Sequence, residues 1–141
     1  MILPRPYMEL LTNTSRMING QNVEQVRGYD SLGRLNSFST DLAGQNIHST
    51  TQSYDKASRL KTITAGDHNF TYAYQRNQVS SLTFKKGTST VLTTAKTYDK
   101  LYRLKTINET AAVMNKTTTY TLNDANQRIN VVTPTHSWDY Q

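Results

Sequence analysis

The chain has 141 residues, enough for one ordinary domain, but only 35% are hydrophobic and the net charge is +6, so little apolar surface is on hand for a core. Cysteine is absent, which excludes disulfides, thiolate zinc sites and cysteine nucleophiles, and no stretch approaches the ~18 apolar residues of a membrane span. The Lys and Arg residues are scattered, with Lys85 and Lys86 the one adjacent pair, whereas nucleic-acid binding calls for a cluster or stripe.

Residues 1–10 are expected to be an irregular or short helical lead-in. Met1 to Pro6 is too short, and too broken by proline, for a secretory signal. From residue 11 to residue 141 the composition favours strands. Threonine occurs 22 times and tyrosine nine times, and both suit pleated, half-buried surfaces. A tyrosine-rich, leucine-poor sheet with one wet face is the expected result.

Within this region a motif recurs: Tyr-Asp, three variable residues, Arg-Leu, then a β-rich run. Tyr54, Asp55, Arg59 and Leu60 return as Tyr98, Asp99, Arg103 and Leu104, and a looser copy has Tyr29, Asp30, Gly33, Arg34 and Leu35. Self-similarity at this spacing marks stacked units, none of which can bury its apolar face alone. A degenerate first unit is read at residues 11–20, with Leu11 in the tyrosine place and Arg16 in the arginine place. A fourth, from Phe70 through Tyr72 and Tyr74 to Val79, is one residue short in its turn. A sixth is aligned on Tyr120 and Arg128, one residue longer.

Each unit reads as a β-hairpin. Phe70, Tyr72 and Tyr74 share a face at period two, and Asp, Asn, Gly and Ser then cluster as in a turn. The aspartate can accept backbone N–H bonds in an Asx-type turn, and Gly33 can supply φ > 0. Asp55 with Arg59, and Asp99 with Arg103, are expected as cross-turn pairs that fix register. Leu60 with Ile63, Leu104 with Ile107 and Leu35 with Phe38 are three apart, so strict alternation would split them between faces. Either the second arm carries a bulge after the turn, which restores them to one face and is the favoured reading, or both faces are partly covered. The segments 41–49, 65–68 and 85–89 are read as polar outer turns joining the hairpins.

The run Tyr29-Asp30-Ser31-Leu32-Gly33-Arg34-Leu35 resembles the YD repeat of the Rhs and teneurin families. The other copies replace the glycine with Ser58 or Tyr102. The aromatic-x-aromatic strand at Tyr72 and Tyr74 fits the same pattern, and Trp138 with Tyr140 resembles the start of another unit. The resemblance implies an all-β fold: tandem hairpins in a curved, open antiparallel sheet, a partial β-shell. It further implies a segment of a larger, secreted bacterial protein that encloses or displays a toxin cargo, without catalysis. No active site carries over, and no cofactor or metal is implied.

Other chemistry is weakly signalled. His48, His68 and His136 lack metal-ligand spacing. Asp67 and His68 near Ser58 could be imagined as parts of a triad, but no nucleophile elbow accompanies them. Tyr54, Tyr74 and Tyr98 are expected to form a cross-strand ladder. Tyr102 and Tyr140, which break or end the pattern, are the candidates for binding a surface glycan. Open sheet edges invite pairing, so self-association, most simply as a two-fold homodimer, is expected.

Overall fold

The computed structural model describes residues 12–140. They are built of strands and turns, with no helix among the described residues. The chain forms two compact units, Met1–Ser53 and Tyr54–Gln141. The 1–10 lead-in and Leu11 lie outside the described residues.

The first unit holds β1 (Asn13–Ile18), β2 (Gln21–Tyr29), β3 (Leu35–Leu42) and β4 (Gln45–Tyr54), which ends at the boundary. The second holds β5 (Leu60–Ala65), β6 (His68–Gln75), β7 (Gln78–Lys86), β8 (Ser89–Tyr98), β9 (Leu104–Ala111), β10 (Met114–Leu122), β11 (Arg128–Val132) and β12 (Ser137–Asp139). Within each unit, neighbours in sequence pair antiparallel. Among the described residues, β1 and β12 each have one partner strand.

The expected bulge is present. Tyr29 pairs with Leu35 but Gly28 with Ser37, so Asn36 is the extra residue. Tyr98 pairs with Leu104 but Thr97 with Thr106, leaving Lys105 over. One inserted residue returns Leu35 and Phe38, and likewise Leu104 and Ile107, to a common face.

Register then sorts the second unit into two chemically distinct faces. Ile63, Phe70, Phe84, Leu92, Ala111 and Met114 stand opposite one another in a row across six strands. Beside that row on the other face runs a second, of Thr62, Thr71, Thr83, Thr93, Thr110 and Asn115. On the apolar face the rings of Phe70 and Phe84 stack at 4.6 Å, and His68 joins Phe84 at 5.7 Å. On the threonine face hydroxyls and amides pair, as in Thr97 with Thr106 at 2.6 Å and Asn69 with Thr64 at 2.9 Å. Alternation of β-branched polar and apolar residues produces this division directly.

Val131 is the one buried hydrophobic side chain among the described residues, at 8% exposure. The strands of each unit are therefore held by their ladder and, in the second unit, by side chains at the strand ends, not by a core. The segments read as outer turns are tighter than expected. Strand pairing runs through them and leaves two-residue turns at 43–44, 66–67 and 87–88. At Ala43-Gly44 both residues have positive φ, 50° and 79°, the twist-matched hairpin turn.

The degenerate first unit requires correction. Asn13–Ile18 is one continuous strand, with Arg16 and Met17 in its middle opposite Val23 and Asn22. Asn19-Gly20, with φ 49° and 75°, makes the turn instead, because this dipeptide is a stronger hairpin signal than the threonine-serine run before it.

Candidate functional site

The motif residues gather at corners, and those that carry the full motif are built alike. At the first, Asp30 caps its own turn: its Oδ1 accepts the N–H of Leu32 at 2.9 Å and of Arg34 at 3.0 Å, while its backbone oxygen accepts Gly33 N–H at 2.9 Å. The N–H of Asp30 donates to Arg34 O at 2.9 Å. The Arg34 guanidinium closes on Asp30 Oδ2 through Nε at 2.7 Å and Nη2 at 2.6 Å. This is a three-residue loop ending in a left-handed residue, Gly33 at φ 75°.

Asp55 does the same to Ala57 and Arg59, at 2.8 and 2.9 Å, and Arg59 returns with Nε at 2.8 Å and Nη2 at 2.7 Å. Asp99 accepts Leu101 at 2.8 Å and Arg103 at 2.9 Å, and takes Arg103 Nε at 2.6 Å. The glycine place is filled here by Ser58 at φ 60° and Tyr102 at φ 61°. Both keep the left-handed conformation without glycine's freedom, at a conformational cost.

These contacts depress the aspartates below their ordinary value. The Arg34 side chain is the leading cause at Asp30 and the Arg59 side chain at Asp55, whereas the Arg103 backbone N–H leads at Asp99. Hydrogen bonds to the ionised form favour it.

The sixth unit also requires correction. Asn123, not a position set by Tyr120, takes the aspartate's part. Its Oδ1 accepts Gln127 N–H at 3.0 Å, and its N–H and O bond Gln127 and Asn126 at 3.0 and 3.1 Å. Asn126 is left-handed, at φ 62°. Leu122 pairs with Arg128 as Tyr98 pairs with Leu104, so Leu122 fills the tyrosine place and Gln127 the arginine place. Arg128 occupies the leucine place and lays its guanidinium 4.9 Å from the Tyr120 ring centroid. The unit has the common length. An asparagine oxygen accepts N–H bonds as a carboxylate does, so the corner forms without the charge.

The fourth corner is one residue short, as expected. Tyr74 pairs with Val79, Gln75 stands in the aspartate place, and Arg76 turns the chain at φ 56°.

Successive corners of the second unit are linked, which sequence reasoning missed. Arg59 Nη1 donates to Arg76 O and its guanidinium stacks 4.3 Å from the Tyr74 ring. Gln78 Nε2 donates to Tyr102 O at 2.5 Å, and Arg76 sits 4.8 Å from the Tyr102 ring. Arg103 Nη1 donates to Asn123 O at 2.8 Å and to Asn126 Oδ1 at 3.0 Å. The tyrosines add a second set: Tyr74 OH donates to Leu60 O and Tyr98 OH to Val79 O, both at 2.7 Å. The expected tyrosine ladder is thus one of hydroxyls reaching the preceding hairpin, not of facing rings. Successive corners are thus tied by an arginine or glutamine side chain, and two phenols add bonds back to the preceding hairpin.

The remaining candidates are dispersed. Asp67 meets its neighbour His68 at 2.9 Å, while Ser58 lies at the opposite end of β5. Tyr102 and Tyr140 are about half exposed, at 49% and 50%. Beside Tyr102 the fourth and fifth corners leave a notch of about 270 Å³.

No family model matches the chain, and no curated protein does. Among solved structures, a chain of the Photorhabdus luminescens Tc holotoxin pore, determined with a mutant TccC3, is similar in fold at TM-score 0.50 and 18% identity. The likeness covers 91% of this chain but 9% of that one. It is a likeness of hairpin architecture.

Proposed function

We propose that this chain is a Rhs/YD-repeat segment: a structural part of the wall of a larger bacterial secreted or toxin-delivery protein that encloses or displays cargo and performs no catalysis. The observation that carries this reading is the recurrence of one braced corner. A catalytic constellation is needed once, whereas a device that fixes hairpin register is needed at every unit. The coreless sheet points the same way, because a single layer with an apolar row along one face calls for further polypeptide against it. The similarity of fold to a chain of a Tc holotoxin pore supports the reading.

The test is the mass of the purified chain by light scattering at tens of micromolar, with binding of a hydrophobic dye measured alongside. A wall segment is expected to self-associate, as a homodimer in the simplest case, and to bind less dye as it does. A strictly monomeric chain that binds no dye would overturn the proposal.

A second reading, a carbohydrate- or cell-surface-binding module, is favoured at one place. Tyr102 presents a half-exposed ring beside a notch, where the other braced corners carry glycine, serine or asparagine.

A further inference from the structure

The fourth corner differs from the aspartate-braced corners in charge. Arg34, Arg59 and Arg103 each close on an aspartate. Arg76 does not, because Gln75 stands where the aspartate would be. Among the described residues neither Arg76 nor Lys100 has a carboxylate partner. Both line the 270 Å³ notch. Asp99 lines it too, but its carboxylate is taken up by Arg103 and by two backbone N–H groups. The notch therefore holds two uncompensated cations.

Its other walls are equally specific. Tyr102 occupies the left-handed place that is glycine, serine or asparagine at the other braced corners. An aromatic side chain held there against its backbone preference supplies a flat apolar surface beside the cations. Gln78 fixes that residue through its carbonyl, and Gln75 and Gln78 contribute amides to the lining. A planar guanidinium paired with a carboxylate gives directed, charge-assisted bonds. The amides suit hydroxyls, and the ring suits the apolar face of a pyranose. The volume falls just below the usual range of ligand pockets, so it suits one ring and not an extended chain.

We propose that this notch binds a hexuronate, a carboxylated monosaccharide unit such as glucuronate, with the carboxylate on Arg76 and Lys100 and the ring against Tyr102. The proposal rests on the surface-binding reading of Tyr102 and is independent of the wall role.

The experiment is an NMR titration of the whole chain with glucuronate, glucose and acetate in parallel. Saturable glucuronate binding in the millimolar range is expected, with shifts confined to residues 75–78 and 99–103 and with glucose and acetate at least about tenfold weaker, the worth of a charge-assisted contact. Arg76→Ala should weaken glucuronate about tenfold or more. Tyr102→Gly should weaken it by roughly three- to tenfold. That variant restores the residue the conformation prefers, so loss of binding would not reflect loss of fold. Equal binding of acetate would mean a bare anion site and overturn the proposal. Equal binding of glucose would overturn it too while leaving the surface-binding reading standing, and binding of none of the three would sink both.

Discussion

The two ends of the strands in the second unit solve the same problem by different means. At one end the chain reverses through two-residue turns, such as 66–67 and 87–88, that rely on backbone conformation. At the other it reverses through corners at 55–59, 99–103 and 123–127, each braced by an internal acceptor, and side chains link each corner to the next. The difference shows where a coreless sheet finds cohesion. With one buried hydrophobic side chain among the described residues, apolar burial cannot hold hairpins side by side, so the backbone ladder does, reinforced by polar bonds at the corner end.

The largest expected effect follows from removing a link. Arg59→Ala loses the bond to Arg76 O and the stack on Tyr74 and should destabilise the chain by about 2 kcal/mol in denaturant melts. Arg76→Ala loses a single ring contact and should cost no more than about 1 kcal/mol. Equal effects would erase the distinction between braced and unbraced corners.

At the opposite end of the strands in the first unit, Gly44→Ala should cost about 1 kcal/mol. Its φ of 79° disfavours a side chain, although open space surrounds the position. Tyr98→Phe, which frees the Val79 carbonyl, should cost about 1 kcal/mol as well. Ser58→Gly should do the reverse and gain up to about 1 kcal/mol, because the corner already demands the left-handed conformation.

The mildest perturbation is pH. Asp30, Asp55 and Asp99 are all held below the ordinary aspartate value of 3.8. A depressed folded-state value means that the contribution is complete above 3.8 and is lost as pH falls through the folded-state values. Thermal melts should therefore be level down to about pH 5 and decline below 3.8. Asp55→Asn should flatten that decline.

The corners were legible in the sequence because their bonds are local. Asp30 to Arg34 spans four residues, and the bulge follows from the three-residue spacing of Leu35 and Phe38. The sixth corner was misplaced because its residues keep the geometry and change the chemistry: Asn123 for aspartate, Leu122 for tyrosine, Gln127 for arginine. The spacing of Asn123, Asn126 and Arg128 was the available signal. The links between corners were not legible. Arg59 to Arg76 and Gln78 to Tyr102 join residues 17 and 24 apart, a pairing set by strand lengths and register and not by any local pattern.

Residue-resolved amide hydrogen exchange at neutral pH tests most directly whether the corners hold this sheet together. Arg59, Arg103 and Gln127 donate their N–H groups to corner acceptors. They should exchange slowly and at a common rate, well behind the amides of the two-residue turns. Exchange at those three amides as fast as at the turns, or at three unrelated rates, would contradict the account.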